Sequence, residues 1–453
     1  MTTERFAATS ARTSGRSAAP WIGLGAALAL ISLAVAVPAV LGIDVHVRWF
    51  PPLHAEWMPR IGPGTPAAIA LAVLAIVFGV DLARRLTWRM LLLAAFGTSL
   101  AWMLSLATVD GLAGIGVILD TQYEYLRTAR AVTDVGALLR GYIAHIPLDS
   151  AENWPVHIAG HPPGAVLFFV LLARVGLGSG IAAGLTVTII AATTSVAVLI
   201  VLRRLGAEAS ARRAAPFLVL GPAAIWMSVS ADAVFGAFAA WGLCLLACAA
   251  TASTRGRTAA WAAASGLVLG WCVMMSYGLP LLALLAVTVL LLTGRWRALP
   301  WAVASAVLVV LAFAMAGFAW WEAYPVLVDR YWAGVAINRP FGYWVWANLG
   351  ALAVSAGPLV GAGAAAAIAL LPRVRTLSAG ERVTVALTVA ALATVLVADL
   401  SGMSKAEVER IWLPFVPWLL LGTALLTDRW RRWGLAGQIS FAVAVQHLLA
   451  TGW

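Results

Sequence analysis

The sequence is poor in charge, almost without lysine, and nearly without cysteine. Only 11% of its 453 residues are charged, where soluble domains carry about 25%, so a water-exposed surface around a buried core is excluded. Lys405 stands alone among the thirty Lys and Arg. The three cysteines (Cys244, Cys248 and Cys272) lie in apolar segments without metal-type or redox spacing, which leaves them as small buried hydrophobes. No internal repeat, low-complexity tract or separate polar domain interrupts the chain.

What is present is apolar. The mean hydropathy is +0.93, and apolar runs of about 20 residues recur, each long enough to cross a bilayer as a helix. Within lipid the backbone must satisfy its own hydrogen bonds, so spans are helices or closed barrels. The runs are continuous rather than alternating, which selects helices. The expected fold is all-α: a polytopic helical membrane protein with about thirteen transmembrane helices and external juxtamembrane helices. Expected spans cover 21–43, 65–83, 90–108, 180–202, 214–230, 232–251, 258–275, 279–294, 299–318, 344–371, 383–398, 411–427 and 434–451. Residues 1–20 read as a disordered cytoplasmic tail rather than a cleaved signal, and 21–453 as one transmembrane domain.

The net charge of +11 does not point to nucleic acid, because the basic residues sit in short turns between spans, where they set topology. Arg84/Arg85/Arg89, Arg203/Arg204/Arg212/Arg213, Arg255/Arg257, Arg295/Arg297, Arg373/Arg375/Arg382 and Arg429/Arg431/Arg432 fall on the side of the N-terminal tail. That side is expected to be cytoplasmic, in a plasma membrane. The opposite side receives 44–64, 109–179, 319–343 and 399–410, with five of the six histidines (His46, His54, His145, His157 and His161).

Two stretches of the long external loop carry chemistry. "DTQYEYLRTAR" places Asp120, Glu124 and Arg127 at helical spacing on one face. A carboxylate near arginines at the membrane boundary suits a general base or an anion site; taken alone, the same residues read first as an interfacial amphipathic helix laced with ion pairs. "HPPG" (161–164) starts a helix well but cannot lie inside one, and the apolar stretch after it is too short to span. The loop therefore folds back over the bilayer. His157 and His161 are four apart, as metal ligands on one helix face are, but Pro162 and Pro163 oppose a regular helix through both. No metal is indicated.

The order of these features resembles the GT-C superfamily of membrane glycosyltransferases, which includes protein mannosyltransferases, aminoarabinose transferases and actinobacterial mannosyl- and arabinosyltransferases. The resemblance runs through most of the chain on short motifs: Asp120 with Tyr125 and Ala129, the HPPG element, "SVSADAVFGAFAAW" with Asp232, "MMSYGLPLLALLA", and "ERIWLPFVPWLLL" with Arg410. It departs from the pattern at Ser276, where lysine is usual, and in two extra spans before the usual start, so that Asp44 competes with Asp120.

The resemblance implies transfer of a pentose or hexose from a polyprenyl phosphate donor to an acceptor hydroxyl at the outer face, with inversion and no cofactor. The acceptor is a glycan, lipid or protein. It assigns Asp120 as the base and Arg410 as the residue that holds the donor phosphate, with Arg330 and Arg339 as further candidates for the phosphate. Glu124, Tyr125, His161, Asp232, Tyr331, Trp332 and Asn338 are candidates for the substrate. The alternatives are a transporter, which places ionisable groups near the bilayer midplane, or a lipid-linked-substrate flippase, which tolerates their absence, and a non-catalytic assembly or export subunit of the cell envelope.

Overall fold

A computed structural model describes residues 18–451. Of the expected tail, residues 1–17 lie outside the described residues, whereas Ala19 and Pro20 already belong to the first helix, Ala19–Leu41. Nearly every described element is helical. Among the described residues nine helices are long and apolar enough to cross a membrane: Ala19–Leu41, Thr65–Arg85, Trp88–Asp110, Gly180–Arg204, Ala231–Ala250, Arg255–Met275, Trp296–Met315, Leu359–Thr376 and Ala379–Leu400. The chain is a membrane-embedded helical protein.

Four of the expected spans are broken or short, and each break has a chemical cause. The apolar run 344–371 forms two helices, Phe341–Ser355 and Leu359–Leu370, separated at Gly357 and Pro358. Gly357 adopts φ +82°, which suits a residue without Cβ, and Pro358 cannot donate into a continuing helix. The freed backbone is satisfied by one side chain: Gln438 Oε1 accepts from Leu359 N–H at 3.2 Å, and its Nε2 donates to Ala356 O at 2.9 Å. Run 214–230 is likewise divided at Gly221–Pro222, between Glu208–Val219 and Ala224–Met227. Pro414 and Pro417 reduce 411–427 to the short helix Val416–Leu420 and a 3-10 turn, Leu421–Leu425. Run 279–294 is a 3-10 turn followed by Ala283–Thr293. The last expected span belongs to an amphipathic helix, Asp428–Leu448, that leads into a short strand, Leu449–Thr451, paired antiparallel with Ala55–Trp57.

Helices approach closely where side chains are smallest, as expected when association rests on van der Waals contact. A Cβ on Gly361 would lie 2.2 Å from Gly23 O, and one on Gly266 2.1 Å from Ala302 O.

Side-chain contacts define two chemically distinct ends. At one, Arg212 donates to Leu86 O at 2.7 Å, Arg84 pairs with Asp428 at 2.7 Å, and Arg432 pairs with Asp81 at 2.8 Å. Arg203 packs over the Trp88 ring at 4.5 Å. These ties gather the arginine-rich turns, and Trp21 beside Trp430 brings the start of the first helix to the same end. At the other end the loops 44–64, 109–179, 319–343 and 399–410 meet: Arg330 donates to Ile146 O and Trp154 O, and Arg339 donates to His46 O and Lys405 O. There the His-Pro-Pro-Gly element opens the short helix Gly164–Arg174. Gly164 is required by packing, since a Cβ would lie 2.4 Å from Met274 O.

Candidate active site

At the loop end, one arginine gathers acids and an imidazole from four separate stretches. Arg410 lies in the single turn Val408–Ile411. Its Nη1 donates to Asp232 Oδ2 at 2.5 Å, with both side chains only 4% exposed. Asp232 occupies the first turn of the Ala231–Ala250 helix, whose N-terminus favours negative charge and is capped by Ser230 Oγ accepting from Ala233 N–H. Arg410 Nη2 makes longer contacts, 3.4 Å to His157 Nε2 and 3.5 Å to Glu407 Oε2. On its far side, His157 Nδ1 lies 2.7 Å from Glu124 Oε1.

The bonding fixes the proton positions. A guanidinium only donates, so His157 Nε2 accepts, and Nδ1 carries the hydrogen given to Glu124. The result is a continuous chain Glu124–His157–Arg410–Asp232. Glu124 Oε2 is buried and has no donor among the described residues. An orphaned buried carboxylate oxygen is costly and marks a place where a hydroxyl would be welcome.

A second set of contacts holds this cluster from the other side. Arg339 donates to Lys405 O at 2.6 Å, to His54 Nε2 at 3.0 Å and to Glu407 Oε1 at 3.3 Å. Lys405 Nζ reciprocates by donating to Arg339 O and Ala336 O, and it lies 4.4 Å above the Trp332 ring. The loops around 339 and 405 are thus latched to each other. Immediately after the latch, Ala406 and Glu407 both adopt left-handed backbone, at φ 69° and 62°. Two adjacent non-glycine residues there cost about 1–3 kcal/mol each, and the surrounding bonds sustain that strain to aim Glu407 at Arg410 and Arg339.

The electrostatics follow from burial and neighbours. Burial opposes the charge on Arg410, but Asp232, Glu124 and Glu407 outweigh it and hold the guanidinium firmly protonated. Burial alone would raise the Glu407 carboxyl, yet Arg410 and Arg339 bring it below its ordinary value. Burial lowers both His161 and His54 beneath the ordinary imidazole value of 6.5. A depressed folded-state pKa means that the unfolded chain binds the extra protons first. The two imidazoles therefore contribute stability that is fully present above 6.5 and is lost as pH falls through their lower folded values. Unfolding midpoints of the detergent-solubilised protein measured from pH 8 to pH 5 are expected to fall below pH 6.5. His161→Gln is expected to flatten part of that slope.

The structure brings together some of the sequence candidates and separates others. Glu124, Asp232 and Arg410 are in the cluster, and Arg339 borders it. Tyr125 is fully buried, stacked on Phe169 at 5.0 Å, with its hydroxyl 3.0 Å from His161 Nδ1. His161 Nδ1 also donates to His157 O at 2.7 Å, so His157 and His161 turn to different partners.

Asp120 stands apart. It ends a 3-10 turn, Ile118–Asp120, while Glu124 precedes a separate helix, Tyr125–Ala131. No single helix carries Asp120, Glu124 and Arg127 on one face, because extended backbone at Thr121 and Glu124 interrupts it. Both Asp120 carboxylate oxygens are taken by Arg130, and Arg127 donates to the Asp120 carbonyl. Asp44 is largely exposed and accepts from His46 N–H at 2.8 Å.

Among the expected phosphate ligands, Arg330 is spent on two backbone carbonyls. Tyr331 accepts from Lys405 N–H at 3.0 Å, Lys405 covers one face of Trp332, and Asn338 is exposed. Sequence reasoning overlooked Glu407, Lys405 and His54. The one available signal was the spacing Glu407-x-x-Arg410, which places an acid and an arginine one turn apart.

No protein-family model matches this chain, and no curated protein matches it.

Proposed function

We propose that this chain is a membrane glycosyltransferase of the GT-C kind, its chain crossing the membrane about thirteen times. It moves a pentose or hexose from a polyprenyl phosphate to an acceptor hydroxyl at the outer face of the plasma membrane. The observation that carries this reading is the buried chain Glu124–His157–Arg410–Asp232 at the loop end, with one Glu124 oxygen unsatisfied.

The reaction makes three demands on the residues. The acceptor hydroxyl must lose a proton, and Glu124 Oε2 is the available base. His157 orients that carboxylate through its Nδ1–H. As the acceptor oxygen bonds to the anomeric carbon, the bond from that carbon to the phosphate oxygen breaks, and the electron pair leaves with the lipid phosphate. Arg410 is the cation for that developing charge: Nη1 stays on Asp232, while the longer Nη2 contacts to His157 and Glu407 can be exchanged for a phosphate oxygen. Single attack from the face opposite the phosphate inverts the sugar.

In this reading the base passes from Asp120, whose oxygens Arg130 holds, to Glu124. A transporter places ionisable groups near mid-membrane, whereas these gather where the loops meet. The test is to incubate the purified protein with a panel of radiolabelled polyprenyl phosphate pentoses and hexoses. Transfer or slow hydrolysis of at least one donor is expected; inertness toward every donor sinks the proposal.

A further inference from the structure

The arginine end holds a feature that the transfer reaction does not use. The helices Ala19–Leu41, Leu359–Leu370 and Asp428–Leu448 leave between them an open groove of about 1090 Å³. Ligand pockets measure roughly 300–1,000 Å³, so this one lies at the upper end of that range and has room for a ligand of substantial size. Its walls are apolar, with Leu24, Leu28 and Phe441 among them, and Gly437 lines it without filling it, since a Cβ there would meet nothing within 4 Å.

Two cations stand on the rim. Arg373 and Arg429 line the groove, are exposed, and make no side-chain hydrogen bond or ion pair among the described residues. Neighbouring arginines behave differently: Arg431 is bound to Asp428 and Arg432 to Asp81. Trp21 and Trp430 meet at 4.4 Å beside the groove, and Trp433 is 74% exposed, which is the placement of tryptophan at a membrane–water boundary. A free cationic rim above an apolar trough matches an amphiphile with an anionic head. The rival occupant from this chain is the segment before Ala18, because Ala18 lines the groove. That segment carries Arg5, Arg12 and Arg16 against Glu4 alone, so Arg373 and Arg429 repel it.

We propose that this groove is a binding site for an anionic glycerophospholipid, with the headgroup phosphate on Arg373 and Arg429 and an acyl chain lying over Gly437. The site is independent of the Arg410 cluster. The test is native mass spectrometry of the full-length, delipidated protein exposed to equal amounts of phosphatidylglycerol and phosphatidylcholine. Wild type is expected to retain phosphatidylglycerol preferentially. An arginine near a lipid phosphate contributes about fivefold, so Arg373→Glu with Arg429→Glu reduces the preference about thirtyfold or more, while the paired Lys substitutions preserve most of it. Gly437→Phe places a ring in the trough and improves helix propensity; it is expected to abolish retention of either lipid without lowering the unfolding midpoint. Absence of a preference in wild type, an undiminished preference in the charge-reversed protein, or full loading of Gly437→Phe overturns the proposal. So does lipid retention that appears only on removing residues 1–17, which would give the groove of the full-length protein to that segment.

Discussion

Glu124→Gln is expected to lower sugar transfer by about 10²–10⁴-fold, the usual contribution of a positioned general base, while leaving the protein inserted and folded. The amide keeps the shape of the carboxylate and its Oε1 still accepts from His157 Nδ1–H, but it takes no proton from a hydroxyl. Asp120→Asn is the paired measurement. Asp120 is clamped by Arg130 and Arg127 outside the Arg410 cluster, so its loss is expected to be small beside that of Glu124→Gln. Initial rates with the preferred polyprenyl phosphate sugar decide between them. Full activity in Glu124→Gln with a dead Asp120→Asn would return the base to Asp120, as the resemblance alone implies.

The second large effect concerns stability. Asp232 and Arg410 are a buried pair joined at 2.5 Å. Removing one member leaves the other charged and buried, which typically costs about 3–5 kcal/mol, whereas replacing both by apolar residues of similar volume is often neutral. Asp232→Ala is expected to lower the unfolding midpoint markedly. Asp232→Leu combined with Arg410→Met is expected to recover most of that loss and yet stay inactive. Recovery of fold without recovery of transfer separates the pair's structural contribution from its part in chemistry. A double variant as unstable as the single one would show that the cluster depends on the charges themselves, through the contacts of Arg410 to His157 and Glu407.

The parts of this structure that were legible in the sequence are those governed by local composition. Uninterrupted apolar helices such as Gly180–Arg204 and Ala379–Leu400 follow from length and hydropathy. The helix after His-Pro-Pro-Gly follows from proline chemistry. Broken helices were less legible, because an average over twenty residues passes smoothly across "SAGPLVG" or "VLGPAAI", although Gly-Pro there is a strong stop signal.

The site divides in the same way. Asp232, Arg410 and Glu124 were singled out by residue type and motif order. Their mutual contacts were not, since Arg410 reaches Asp232 across most of the second half of the chain. Glu407 was hidden for another reason: its role rests on left-handed backbone at Ala406 and Glu407, a conformation that no glycine or asparagine announces. The shared face of Asp120, Glu124 and Arg127 was not legible, because spacing assumes one helix and the chain turns between residues 120 and 125.

The central claim is that the acid and imidazole cluster works at the outer face while the arginine turns face the cytoplasm. Single cysteines report this directly with a membrane-impermeant thiol reagent, because the native cysteines are buried. Glu152→Cys, on the exposed loop near the cluster, is predicted to label in intact cells, and Arg375→Cys only after permeabilisation. Labelling of position 375 from outside, with position 152 protected until the membrane is opened, would contradict the account.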